Sequence, residues 1–147
     1  MIGFACERAT EPDEIARCLA IRRAVFIEEQ GVDEALEVDG LDATARHYLG
    51  WLDGTPIATA RVRRIADGFG PLAKVQRVAV LRDARGTGAG AAIMRYLMDD
   101  LARAEGIGRF TLGSQEAAVP FYERLGYRAV GEPFLDANIP HRTMVYH

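Results

Sequence analysis

Glycines at alternate positions in Arg85-Gly86-Thr87-Gly88-Ala89-Gly90 make up the stretch of this 147-residue chain with the plainest chemical use. They join a β-rich run to an apolar stripe at Ala89, Ala92, Ile93, Tyr96, Leu97, Leu101 and Ala104, which has helical spacing and ends at Gly106. A strand that turns through glycines into a helix gathers unpaired N–H groups at the positive end of the helix dipole, a place that suits phosphate. Glycine is needed because a β-carbon would block the anion and because successive N–H groups turn inward at positive φ. Arg82 and Arg85 add positive charge. Gly86, Gly88 and Ala91 also match the dinucleotide pattern G-x-G-x-x-A, but Arg82 to Arg85 intervene between strand and glycines, and too little chain follows for a doubly wound sheet. A Walker A loop is excluded because neither Lys-Ser nor Lys-Thr follows Gly90.

The elements that must position this loop follow from periodicity. Residues 2 to 8 predict a strand, and Thr10 with Asp13 and Pro12 a helix start, the helix running to about Phe26. The acidic stretch Glu28 to Asp42 predicts a loop or broken helix. Residues 45 to 52 and 55 to 65 predict two strands joined at Asp53-Gly54, a dipeptide that favours a tight hairpin. Leu72 to Leu81 predicts a third strand, placing three antiparallel strands before the glycine loop. After the long helix come a strand at 109 to 113, a helix at 116 to 125 with Pro120 in its first turn, and strands at 127 to 130 and 141 to 146. The order β-α-β-β-β-α-β-α-β-β, without repeat or linker, predicts one α/β (mixed α+β) domain over residues 1 to 147.

Composition fits that reading. The chain is 49% hydrophobic and 27% charged, with a net charge of −3, so it is an ordinary folded protein without the basic face a nucleic-acid partner requires. No apolar run approaches the roughly 20 residues of a membrane-spanning helix, and Glu7 and Arg8 fall where a signal peptide needs its apolar segment, so the cytoplasm is expected. Cys6 and Cys18 lack metal or disulfide spacing and are expected to be buried thiols; no metal is expected. Oligomeric state is not legible, a homodimer being the commonest closed assembly.

Val78-Ala79-Val80, the R-x-x-G-x-G of Arg85, Gly88 and Gly90, and Phe121-Tyr122-Glu123-Arg124-Leu125-Gly126-Tyr127 downstream together resemble the GNAT superfamily of N-acetyltransferases. The segment Arg22 to Gly31, with Asp39 and His47, looks further like the ElaA-like branch. The resemblance implies a mixed, mostly antiparallel sheet, splayed open beside the strand of Val78 to Val80, with helices on both faces. It also implies acetyl-CoA as donor, its pyrophosphate on Arg85 to Gly90 and its pantetheine arm along Val78, Ala79 and Val80.

Acetyl transfer to an amine needs a neutral nucleophile, a polarised thioester carbonyl and a proton for the leaving thiolate. The resemblance assigns polarisation to the Val80 N–H and the leaving-group proton to Tyr122. Phe121 and Tyr122 would otherwise read as two core aromatics, but adjacent helix positions point about 100° apart, so one can be buried while the other faces the cofactor. Candidate bases are Glu28, Glu29, Glu37, Asp39, His47 and His141, with Glu28 and His47 favoured and a water chain as the alternative. Phe26, Glu29, Gln30 and Arg77 are candidates for the acceptor side. Arg77 interrupts an apolar strand, and strict alternation puts it on the face opposite Gln76 and Val78, where it should pair with a carboxylate of residues 28 to 42 or hold a substrate carboxylate. The acidic stretch suits a cationic acceptor. The function expected is acetyl-CoA-dependent N-acetylation of a small amine by direct attack in a ternary complex, since no cysteine lies near the loop or Tyr122. The rivals are a non-catalytic acyl-CoA-sensing domain and an acyltransferase with another donor, the latter because Arg23 to Gln30 also looks like acyl-homoserine-lactone synthases.

Overall fold

A computed structural model describes residues 3–147. Its elements are strands β1 (Phe4–Ala9), β2 (Arg46–Leu52), β3 (Thr55–Ala66), β4 (Pro71–Val80), β5 (Phe110–Gln115), β6 (Arg128–Asp136) and β7 (Ile139–Tyr146). The helices are α1 (Pro12–Arg22), α2 (Glu34–Glu37), α3 (Ala89–Glu105) and α4 (Val119–Arg124). The strands form one sheet in the order β1-β2-β3-β4-β5-β7-β6, parallel only between β4 and β5. The expected element order and fold class are those observed; Ile2, where the first strand was expected to begin, lies outside the described residues.

Alternation along the strands places helices on both faces. Tyr48 packs into the larger apolar cluster with Ile93, Leu97 and Leu101 of α3, whereas its neighbour Leu49 packs into a second cluster with Cys18 and Ile21 of α1. The α3 stripe is fully buried at Ile93, Leu97 and Leu101, each side chain contributing about 1.5–3 kcal/mol by its removal from water. No helix among the described residues is long and apolar enough to cross a membrane.

Two regions depart from expectation for identifiable reasons. The first helix does not stop near Phe26 but widens into a π-helical turn, Arg23–Glu29, that extends it toward the sheet's open edge. The last two strands are longer than expected and meet in a hairpin whose turn residues Ala137 and Asn138 have φ of 51° and 62°, the double positive φ of a tight primed turn. Gly131 and Pro133 interrupt the β pattern that ends the expected strand at Val130. The pairing register shifts between Val130 and Phe134, and a bulge absorbs the interruption.

The glycine loop is held from both ends of α3. At the far end Glu105 bonds Arg8 of β1 at 2.9 Å and Arg46 of β2, with Arg64 of β3 at 3.7 Å, while Asp100 accepts from the Tyr48 hydroxyl at 2.7 Å. Hydrogen bonds from Arg46, with Arg8 also bonded, hold the Glu105 carboxyl down at about 2. A carboxyl depressed on folding stabilises the fold above its unfolded value of about 4.3, and that stability is lost as pH falls through the folded value. Glu105→Gln is therefore expected to lower the melting temperature at pH 7 and to flatten its acid dependence between about 4.3 and about 2. Melting curves of the two proteins across that range check it.

Candidate active site

Strands β4 and β5 pair at Ala73 with Phe110, Lys74 with Thr111 and Val75 with Leu112, and then separate. A bulge drives the parting. Between Thr59 opposite Ala79 and Arg61 opposite Gln76, β4 carries one residue more than β3, and Arg77 takes φ 54°. A left-handed conformation outside glycine costs about 1–3 kcal/mol and persists only where its surroundings fix it. Here Arg77 Nε lies 3.3 Å from Glu37 Oε1, and its Nη2 bonds the Leu36 and Glu37 carbonyls at 3.2 and 3.1 Å and Asp39 at 3.3 Å.

The bulge corrects the strict alternation expected for this strand. Gln76 and Arg77 do not point to opposite faces: Gln76 accepts from Arg61 at 2.8 Å, Arg61 bonds Asp39 at 2.8 Å, and Asp39 receives Arg77. Arg77 thus takes the carboxylate partner expected of it. The cluster is completed by Arg22, which bonds Glu37 and Asp42, each at 2.7 Å, and by the Arg61–Asp42 contact at 3.0 Å. Arg22 is 1% and Arg61 0% exposed. Hydrogen bonds from Arg61 hold Asp39 well below the usual carboxylate range; burial pushes Asp42 up, but Arg22 and Arg61 outweigh it and leave it lowered. Burial, with Arg61 close by, pushes Arg77 below the ordinary arginine value. Three arginines face three carboxylates, so the acidity of residues 37 to 42 is spent inside the protein. Arg22 opens the segment that resembles the ElaA-like branch, a resemblance that assigns it no role, and Arg61 carries no sequence signal beyond a charge interrupting an apolar pattern.

The gap between β4 and β5 opens into a cleft of about 430 Å³. Val78 of β4, Ser114 and Gln115 of β5, and Tyr122 of α4 line its upper part. Phe26, Val32 and Leu36 line it from the segment after α1, and Phe134, Ile139 and His141 from the β6–β7 hairpin. Leu36 and Phe134 are 57% and 39% exposed, so this end presents apolar surface to an incoming molecule. Gln30 spans the mouth, accepting from Gln115 at 3.0 Å. Of these hairpin residues the sequence singles out His141 alone; Phe134 has no local signal because Gly131 and Pro133 break the β pattern of its strand.

Backbone polarity on β4 completes the cleft. Leu81 N–H bonds the Ile57 carbonyl at 2.8 Å, so alternation turns the N–H groups of Val80 and Val78 away from β3 and toward the gap. The Val80 carbonyl, on the same edge, accepts from Arg85 Nε at 3.0 Å. Ala79 points the other way and is buried in the α1 cluster.

Beyond β4 the loop has the geometry an anion needs. Gly86 and Gly88 have φ of 79° and 94°, Gly88 caps α3, and the first helical bond runs from Ala92 to Gly88, leaving the N–H groups of Ala89, Gly90 and Ala91 unpaired within the helix. Thr87 fastens the turn by donating to the Ala84 carbonyl. A β-carbon at Gly90 would stand 3.2 Å from the Phe121 ring, so the missing side chain lets α4 dock against the start of α3. Phe121 thereby packs under the loop while Tyr122 lines the cleft, but the burial runs the other way from the expected split, Tyr122 belonging to the buried core and Phe121 being only half-buried against it. Tyr122 is 7% exposed, burial pushes its phenol up, and its hydroxyl has no hydrogen-bond partner among the described residues.

The remaining candidates are not gathered here. Glu28 is exposed and does not line the cleft. Glu29 lies on the loop side, its carboxylate gripped by Arg85 through two bonds of 2.6 Å with Arg82 at 3.6 Å, and Arg85 holds it below its usual range. His47 lines a separate depression with Arg8 and Arg46; its Nε2 bonds the Asp42 carbonyl at 2.8 Å and its Nδ1 is sealed without a partner.

A profile of the Acetyltransferase (GNAT) domain matches residues 8–147. The chain is 36% identical over 138 residues to the uncharacterized N-acetyltransferase YjcF of Bacillus subtilis, covering 93% of this chain and 95% of that protein. It is 31% identical over 128 residues to Protein ElaA of Escherichia coli, covering 86% and 82% of the two chains, and the ElaA crystal structure superposes with a TM-score of 0.84 over the full length of both. An acyl-CoA N-acyltransferase from Pseudomonas aeruginosa has the same fold, with a TM-score of 0.82 at 28% identity over all of both chains. A splayed sheet, a glycine loop on the strand beside the opening, and a sequence match running almost from end to end place this chain in the GNAT acetyltransferase family, on the branch that holds ElaA.

Proposed function

We propose that the protein transfers the acetyl group of acetyl-CoA to a small primary amine carried on an apolar body, by direct attack in a ternary complex. One observation carries the reading: the stretch of β4 freed from β5 turns its N–H groups into a cleft lined by Tyr122 and leads, through the turn Arg82–Ala84, to the glycine loop. Pyrophosphate on the N–H groups of Ala89 to Ala91 leaves the pantetheine arm to follow Val78 and Val80 as an added strand. The thioester carbonyl then meets the Val80 N–H, which polarises it, and sulphur meets the Tyr122 hydroxyl. Glu29, already on Arg85 and Arg82, keeps the loop's arginines ordered in the absence of an anion. An acyl-CoA donor is also consistent with the name of the Pseudomonas aeruginosa relative.

The acceptor reading departs from the cationic body expected of the acidic stretch. With Glu37, Asp39 and Asp42 matched by Arg22, Arg61 and Arg77, the acceptor end offers chiefly Phe26, Leu36, Phe134 and Ile139, and its one carboxylate outside that cluster among the described residues is Asp136 on the hairpin.

Release of free CoA thiol from acetyl-CoA is expected with arylalkylamines at kcat/KM values at least about tenfold above those for polyamines, each well-filled apolar contact being worth about 1–3 kcal/mol. Thiol release stimulated by no amine, with acetyl-CoA still raising the melting temperature, would favour a sensing domain. Tyr122→Phe is expected to lower kcat about a hundredfold, the contribution of a positioned acid, while leaving acetyl-CoA affinity unchanged; an unchanged kcat would remove Tyr122 from the mechanism.

A further inference from the structure

We infer that His141 is the general base that takes the proton from the acceptor amine. The inference rests on the acetyltransferase reading above and adds to it the group that makes the amine nucleophilic.

His141 sits on β7, opposite Gln115 of β5 and Phe134 of β6, and lines the cleft. It is 8% exposed. Its Nδ1 lies 2.6 Å from the Ile139 carbonyl. A carbonyl oxygen only accepts, so Nδ1 carries the hydrogen and the neutral ring presents a lone pair at Nε2. Phe134 stacks on the ring with centroids 5.7 Å apart, which fixes its plane. Gly113 leaves room for the stacked ring rather than for the histidine: a β-carbon there would stand 3.2 Å from Phe134 but only in ordinary contact, at 4.0 Å, with His141 Cδ2. Nε2 has no hydrogen-bond partner among the described residues and is not sealed from solvent.

The other ionisable groups of the cleft are less fit for the task. Glu37 of α2 is bonded to Arg22 and faced by Arg77. Lys74 and Arg77 of β4 are cations, and Tyr122 keeps its proton. Asp136 of β6 is an exposed carboxylate, a far weaker base than an imidazole. Of the two bases favoured from the sequence, Glu28 lies outside the cleft, and His47 has one nitrogen bonded and the other sealed. The hairpin thus brings an oriented, unspent imidazole lone pair to the apolar end of the cleft, where the amine must enter.

The proton account balances. An ammonium proton passes to Nε2, freeing the nitrogen lone pair, which forms the N–C bond to the thioester carbonyl carbon. The C–S bond breaks with its electrons on sulphur, and Tyr122 supplies the sulphur proton. The second surplus proton on nitrogen restores the Tyr122 phenol, and the imidazolium releases its proton to solvent.

The test compares an arylalkylamine with the alkoxyamine of the same body, which is neutral at assay pH, on the wild-type protein and on His141→Gln. Retention of the melting shift by acetyl-CoA shows that the variant folds and binds donor. The expected result is a loss of kcat/KM of about a hundredfold for the arylalkylamine but less than about tenfold for the alkoxyamine, with the arylalkylamine rate of the variant recovering as pH rises and the amine deprotonates by itself. Equal losses for the two acceptors, or none for either, would overturn the assignment while leaving the acetyltransferase reading intact. Wild-type protein that acetylates neither amine would overturn both.

Discussion

The structure depends on a strand pair that stops pairing. Three residue pairs hold β4 to β5, and beyond them the bulge at Arg77 carries β4 away, leaving an unpaired edge in the middle of a seven-stranded sheet. An unpaired edge is ordinarily a liability, because its N–H and C=O groups invite another strand. Here the edge is flanked by α4, the extended first helix and the β6–β7 hairpin, which shield it from another sheet while leaving a cleft beside it. The pantetheine arm of acetyl-CoA is narrow and extended and has the amide groups to match.

What holds the bulge is electrostatic. Arg77 in a left-handed conformation is secured by Glu37 and Asp39, and these are secured by Arg22 and Arg61, two of the most deeply buried side chains in the protein. Removing one partner of such a pair leaves an uncompensated buried charge, at a cost of about 3–5 kcal/mol. Because α1, β3 and β4 each contribute an arginine and the segment 37 to 42 contributes the carboxylates, the cluster ties the acceptor-side segment to the strand that would carry the donor. The two halves of the cleft are therefore fixed relative to one another by charge pairing, with Phe26, Leu36, Phe134 and Ile139 left free to meet the acceptor.

The parts of this arrangement legible in the sequence are those where chemistry dictates residue type locally. Glycines at 86 and 88 mark a turn at positive φ that other residues resist, Gly90 is required by the close approach of Phe121, and the α3 stripe announces the helix behind them. Tyr122 is singled out from Phe121 by the family resemblance, the divergence of adjacent helical positions only allowing it. Illegible were features created by pairing between distant segments. The bulge at Arg77 inverts the side-chain alternation that a strand reading assumes, and the hairpin bulge after Val130 hides the half of β6 that brings Phe134 to the cleft and against His141. His47 and His141 look alike in sequence, each opening a strand; only tertiary contacts show that one has no nitrogen to offer and the other has Nε2 open. The acidic stretch read as a cationic subsite because the arginines that neutralise it lie on three other elements.

The central claim is that acetyl-CoA adds to the free edge of β4. Residue-resolved amide hydrogen exchange tests this most directly, since the Val78 and Val80 N–H groups face the gap without a strand partner. Saturating acetyl-CoA should slow exchange at Val78 and Val80, and at Ala89 to Ala91 where the pyrophosphate is placed, while the already paired Leu81 changes little. Exchange at Val78 and Val80 unaltered by bound acetyl-CoA would contradict the account.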